Sequence, residues 1–205
     1  MTRVPYALKW PVGVLAWLAA LQLYGAINAW TFPRARLVEL SALDAAIPFV
    51  PWTAGIYWTG WLFVGLCWCL AGTSPHYLRQ LLALGLSLTI GCAAFLLFPA
   101  RYPREAVLPP DAPEWVQWAL DLLWTVDLPG NTLPSLHAAL AVALALEVWR
   151  PGCSHGRFWR AVTAAWAAAL VASALTTRQH TTLDVVAGVA LGAVVHVLVG
   201  RWTRA

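Results

Sequence analysis

The sequence predicts an all-α integral membrane protein: a bundle of six transmembrane helices, with an amphipathic helix lying in the interface ahead of the fourth. Three observations predict it. Hydrophobic residues make up 60% of the 205 residues and charged residues 11%, against about 25% charged in a soluble domain, and the mean hydropathy is +0.67. The apolar residues fall into runs close to the roughly 20 that a helix needs to cross about 30 Å of hydrocarbon. The 14 Trp suit a chain whose aromatic side chains gather where hydrocarbon meets water.

Arg3, Lys9 and Trp10 lead into the first run, residues 11–31. No convincing small-residue cleavage site follows it, so it reads as a retained span rather than a signal peptide. The second run, 48–71, carries Pro51 near its start, where a missing N–H is harmless. The third is 78–98, and the long stretch 99–133 follows. Within it, Glu114–Trp124 sets apolar residues at helical spacing with acids on the other side, the pattern of a helix lying in the interface; a re-entrant lead-in to the next span is the alternative. Pro129-Gly130-Asn131 is a turn signal that delivers the chain to the fourth run, 134–150; the fifth and sixth are 158–176 and 183–200. Trp10, Trp30, Trp52, Trp149 and Trp202 fall at run ends as interface anchors, whereas Trp58, Trp61 and Trp68, at helical spacing, face lipid or a neighbouring helix. No repeat or separate polar domain interrupts the pattern, so residues 1–205 read as one transmembrane domain.

Charge sets the expected direction. With the N-terminus in the cytoplasm, the inner segments hold Arg3, Lys9, Arg79, Arg150, Arg157, Arg160, Arg201 and Arg204, and the outer ones Arg34, Arg36, Arg101, Arg104 and Arg178. The positive-inside rule favours this orientation, in a bacterial-type inner or plasma membrane. The net charge of +4 is then a topology signal; the arginines are scattered rather than striped, so no nucleic-acid partner is expected. Cys67, Cys69 and Cys92 lie in apolar runs as small core residues, Cys153 lies in a short basic loop, and no spacing implies a disulfide framework or a metal site. His76 and His155 read as loop residues, and His196 as a packed histidine near the inner end of the last span.

Two strings point to chemistry: Pro134-Ser135-Leu136-His137 and His180-Thr181-Thr182-Leu183-Asp184. In the first, Pro suits a first helical turn, Ser can cap or line it, and the free N–H groups with the positive dipole end make an anion site that the His137 ring can reach. In the second, His180 and Asp184 are four apart and share a helix face; the carboxylate can fix the imidazole tautomer and leave the other nitrogen free to attack. Gly188 and Gly192 continue that span as a small-residue stripe for close helix packing. With six spans, both strings and Arg101, Arg104 and Arg178 fall on one face, the outer one. A single histidine at a helix end is more often a cap than a catalyst, but ionisable groups at the edge of a membrane are costly unless used or paired. The catalytic segments are therefore placed at 98–137 and 173–188.

These residues resemble the type 2 phosphatidic acid phosphatase superfamily over about residues 98–192. Its second signature block, Pro-Ser-x-His, matches Pro134, Ser135 and His137; its third ends in His-x-x-x-Asp, matching His180 and Asp184 with Val185-Val186-Ala187-Gly188 beyond. The resemblance implies six membrane helices, His180 as the nucleophile forming a phosphohistidine, Asp184 as its orienting partner, His137 as the acid for the leaving oxygen and Ser135 as a ligand of the phosphoryl oxygens. Two blocks depart from the pattern. In place of Lys-x6-Arg-Pro stands Arg101-Tyr102-Pro103-Arg104, and in place of the Ser-Arg that opens the third block stands Ser173-Ala174, the nearest arginine being Arg178. The Phe-Pro-x-x-x-Pro-Arg pattern of residues 98–104 is similar to the subgroup containing inositolphosphorylceramide synthases.

Phosphoryl transfer needs an in-line nucleophile, a proton for the leaving group and positive charge for the equatorial oxygens, and His180, His137 and Arg101, Arg104 and Arg178 can supply them. No dense carboxylate cluster suits Mg²⁺, so neither metal nor other cofactor is expected. The leading expectation is a lipid phosphatase acting on a lipid phosphate monoester or diphosphate, with membrane lipids as its surroundings. The alternatives are a lipid phosphotransferase, in which an alcohol replaces water, and a non-catalytic lipid-binding relative.

Overall fold

The computed structural model describes residues 6–104, 110, 112–150 and 156–203; Arg3, Cys153, His155 and Arg204 lie outside them. It is mostly helical. In chain order the helices are α1 (Tyr6–Thr31), α2 (Ala42–Ala46), α3 (Thr53–Trp58), α4 (Gly60–Leu70), α5 (Ser74–Leu97), α6 (Glu114–Val126), α7 (Leu136–Val148), α8 (Arg157–Thr176) and α9 (Thr182–Trp202). Among the described residues five segments are long and apolar enough to cross a membrane: Leu8–Arg34, Thr53–Leu70, Ser74–Leu97, Arg157–Thr176 and Thr182–Trp202.

Two of the expected spans differ in detail. The second is helical in two pieces. Between them, the Thr59 hydroxyl donates to Ile56 O at 2.6 Å and accepts the indole N–H of Trp166 at 2.8 Å, a local side-chain bond of the kind that competes with the helix ladder. The fourth is the 13-residue α7, about 20 Å long at 1.5 Å per residue and shorter than the roughly 30 Å of hydrocarbon. Its run is consumed at both ends by polar work: Ser135 is the N-cap, and Arg150 folds back onto Glu147 at 2.6 Å.

Helix α7 sits centrally, packed against α4, α5, α8 and α9. Small residues permit this: Ala138, Ala139, Ala141, Ala143 and Ala145 are all buried. On α9, a Cβ added at Gly188 would stand 2.3 Å from Ser135 O, and one at Gly192 would stand 2.4 Å from Ala139 O. The expected stripe is thus where the two backbones touch, the geometry small residues allow between helices. Gly91 of α5 leaves room for the Leu136 side chain. Helix α6 buries Val116, Ala119, Leu120 and Leu123 and exposes Trp115, Trp118 and Val126 together with Glu114 and Asp121.

At one end of the bundle the connection 35–52 is tied across the helix ends. Strand β1 (Arg36–Leu37) pairs in parallel with β2 (Ala100–Arg101), Val50 N donates to Thr176 O at 2.8 Å, and the Asp44 carboxylate accepts both Thr182 N–H and Thr182 O–H at 2.6 Å. At the opposite end His196 is packed as expected, its Nδ1 2.8 Å from Glu147 Oε1. Cys67 and Cys92 are buried, whereas Cys69 is exposed on α4. His76, expected in a loop, is a buried residue of α5, because Pro75 in the first helical turn starts that helix ahead of the apolar run.

Candidate active site

A polar stripe on α1 builds the first wall. Asn28 Nδ2 donates to Leu128 O at 3.1 Å, Thr31 Oγ1 to Asn131 Oδ1 at 3.1 Å, and Asn131 Nδ2 to Tyr24 O at 3.3 Å. Gly130 lies against this stripe, since a Cβ there would stand 2.3 Å from Asn28 Oδ1. Asn131 turns the chain at φ 52°, a left-handed conformation that Asn tolerates better than most residues. The turn hands the chain to α7, where Ser135 Oγ accepts Ala138 N–H at 3.4 Å as the N-cap and Ser135 N donates to Asp184 O at 2.9 Å. The starts of α7 and α9 are therefore joined directly, and Ser135 is fully buried at the joint.

His180 does not lie on a helix face with Asp184. It precedes the N-cap Thr181, held by its own N–H on Ala174 O at 3.2 Å. Asp184 completes a capping box: its Oδ2 accepts Thr181 N–H at 2.8 Å and its N–H donates to Thr181 Oγ1 at 3.2 Å, the reciprocal arrangement that satisfies two free helix donors. The expected His180–Asp184 hydrogen bond is absent, with Nδ1 3.9 Å from Oδ2. Nδ1 instead faces Thr132 O at 3.1 Å. A carbonyl oxygen can only accept, so Nδ1 carries the proton and Nε2 keeps its lone pair. Burial pulls the His180 pKa down to about 4, the Thr132 contact opposing and the charge of Arg104 reinforcing the shift. The ring is neutral at pH 7, as a nucleophile requires.

The three expected arginines are brought to this end. Arg104 Nη1 donates to Asp127 O at 3.0 Å and Nη2 to Gln179 Oε1 at 2.6 Å, beside His180. Arg178 turns the α8–α9 connection at φ 52°, and Arg101 lies over the Phe32 ring at 5.8 Å. None of the three makes an ion pair among the described residues. The Nε atoms of Arg101, Arg104 and Arg178 and Thr132 Oγ1 are all buried without a hydrogen-bond partner. Buried donors left unpaired are costly, and a phosphoryl group has oxygens for such donors.

His137 occupies the other side, in the first turn of α7. Its Nδ1 is 2.9 Å from Tyr57 OH, and the two rings stack with centroids 3.9 Å apart. It lines a cavity of about 510 Å³ among α1, α3, α4, α5, α6, α7 and α8, walled by apolar residues such as Trp17, Phe63, Leu88 and Leu140. Gly60 adds no bulk there: a Cβ would still be 3.8 Å from His137 Nε2. Asp127 also lines the cavity. Its Oδ1 accepts Tyr24 O–H at 2.9 Å, and burial pushes its pKa up to about 6 against the opposing effects of Tyr24 and Arg104.

Sequence reasoning missed Thr132, Tyr57, Asp127, Gln179 and the α1 stripe. Tyr24, Asn28 and Thr31 recur at helical spacing within an apolar run, which was a readable signal of polar function inside a span. Thr132 acts through its backbone and left none.

A family model described as PAP2 superfamily matches residues 22–198, a longer stretch than the signature blocks cover. No curated protein matches the chain.

Proposed function

The chain belongs to the PAP2 superfamily, and from that premise we propose that it is a lipid phosphatase that hydrolyses a phosphate monoester or diphosphate through a phosphohistidine. Membership implies phosphatase- or phosphotransferase-type activity on lipids. The observation that carries the finer reading is the pairing of a neutral, Nδ1-anchored His180 with unpartnered arginine donors at one end and a His137-lined apolar cavity beside them. In this reading the phosphate lies among Arg101, Arg104, Arg178 and the start of α7, and the lipid extends into the cavity.

His180 Nε2 attacks the terminal phosphorus, its bond to the leaving oxygen (the ester oxygen of a monoester, the bridging oxygen of a diphosphate) breaks, and His137 gives that oxygen a proton. The Nδ1–H bond to Thr132 O disperses the charge that the ring gains. Water then attacks phosphorus, His137 takes its proton, the P–N bond breaks and inorganic phosphate leaves. Asp184 acts at one remove, by holding the first turn of α9 under His180. Helix α7 completes a six-helix bundle as a short central span, and the exposed Trp115 and Trp118 of α6 suit a helix lying in the interface. The site faces the extracytoplasmic side and the N-terminus the cytoplasm, following the distribution of Lys and Arg.

The apolar cavity next to His137 also favours a second reading, in which a lipid alcohol replaces water in the second step, as in the inositolphosphorylceramide-synthase-like subgroup. Purified protein incubated with phosphorylated lipids and no added acceptor separates the two. Steady release of inorganic phosphate, lost in His180→Ala, supports hydrolysis; release only of a new phospholipid when an alcohol is supplied supports transfer. Neither product from any lipid overturns both.

A further inference from the structure

We infer that Asp127, steadied by Tyr24, is a specificity-determining residue that accepts a hydrogen bond from a hydroxyl or amide N–H of the lipid close to its phosphoester. The inference rests on the lipid-phosphatase reading and deepens it by naming the substrate class.

Among the described residues, Asp127 is the only carboxylate lining the 510 Å³ cavity. A carboxylate on an apolar wall is expensive without a partner, and this one makes no ion pair among the described residues. The two Nη groups of the nearby Arg104 are directed to Asp127's own backbone oxygen and to Gln179, not to the carboxylate. Tyr24 satisfies Oδ1 at 2.9 Å, while Oδ2 has no hydrogen-bond partner among the described residues. The Tyr24 phenol holds Oδ1 in place, and Asn131 Nδ2 donates to the Tyr24 backbone oxygen at 3.3 Å, which ties α1 to the same loop. His137, which would protonate the leaving oxygen, lines the same cavity with Tyr57. A donor reaching Oδ2 therefore belongs to the part of the lipid next to the ester, not to its tail.

This chemistry sorts candidate lipids. Diacylglycerol phosphate and polyprenyl phosphates carry no O–H or N–H near the ester. Monoacylglycerol phosphates carry a hydroxyl, and N-acylated sphingoid phosphates carry a hydroxyl and an amide. A site built around a hydrogen bond discriminates against an analogue lacking it, because its own buried polar atom is left unpaired.

The test is phosphate release by the purified full-length protein from those four lipids in one mixed micelle. The parent should show kcat/KM higher by roughly 10- to 100-fold on the two donor-bearing lipids, the range for a hydrogen bond to a charged group. In Asp127→Ala the ratio between the two classes should fall toward one, and in Tyr24→Phe it should fall part of the way. A ratio is insensitive to the amount of folded protein. Equal turnover of both classes by the parent, or an unchanged ratio in Asp127→Ala, overturns the inference and leaves the phosphatase reading standing. Failure of the parent to release phosphate from any of the four overturns the inference, and failure on a polyprenyl diphosphate as well overturns the phosphatase reading with it.

Discussion

The imidazole Nδ1 of His180 lies 3.1 Å from the carbonyl oxygen of Thr132, so the loop that enters α7 holds the residue that opens α9. Residues 48 apart in sequence, each just ahead of a helix start, are coupled through one ring, and the coupling sets which nitrogen keeps its lone pair. Asp184, at 3.9 Å, is a cap rather than the immediate hydrogen-bond partner.

Asp184→Asn should therefore slow turnover by about one order of magnitude, against the roughly four orders lost when a carboxylate bonded directly to the histidine is neutralised. The amide keeps an oxygen for Thr181 N–H. Asp184→Ala loses the cap as well and should unfold with about 1 kcal/mol less stability. Parallel measurement of kcat and thermal midpoint in detergent checks both.

The pH profile follows from His180. Its folded pKa, about 4, lies below the usual 6.5 or so, so the imidazole stays neutral well into acid. The His180 limb of kcat/KM should fall near pH 4 rather than pH 6 to 7. The sign for stability runs the same way. Between about pH 4 and 6.5 the unfolded chain binds more protons at this site than the folded one. The contribution is complete above that window and is lost as pH falls through it. A pH–rate profile alongside midpoints measured across the window tests the two together.

His137→Ala should slow hydrolysis by about 10²- to 10⁴-fold on alkyl phosphates and by much less on phosphates with good leaving groups, which need no proton. Tyr57→Phe, which removes only the 2.9 Å contact to Nδ1, should move rates in the same sense by less. A series of esters differing in leaving-group pKa gives the slope that checks this.

Gly188→Ala forces α9 away from Ser135, since the new Cβ would start 2.3 Å from that carbonyl. A loss of about 1–3 kcal/mol is expected, as for other overpacked contacts, together with lower activity because the α7 start is displaced. Gly85→Ala, where nothing lies within 4 Å, should be neutral or stabilising by up to about 1 kcal/mol. Thermal unfolding of the two variants side by side tests the claim.

Five long apolar spans and the close approach at Gly188 and Gly192 were legible, because each depends on hydropathy or on residue type at fixed spacing. The His180–Asp184 bond was misread because the four-residue rule applies inside a helix, and His180 stands one residue before the cap. The Thr132 contact uses a backbone carbonyl, which no side-chain pattern reveals. The break at Thr59 comes from one hydroxyl shared with Trp166, a tertiary event. Asp127 was visible as an acid beside a turn, but its meeting with Tyr24 spans 103 residues and depends on how α1 leans against the α6–α7 connection.

The most direct test of the account is to mix the protein with a phosphorylated lipid, quench in base, where phosphohistidine survives, and map the modified peptide by mass spectrometry. Phosphate on His180, accumulating in the parent and absent in His180→Ala, is the predicted result. Phosphate on any other residue, or undiminished turnover by His180→Ala, would contradict it.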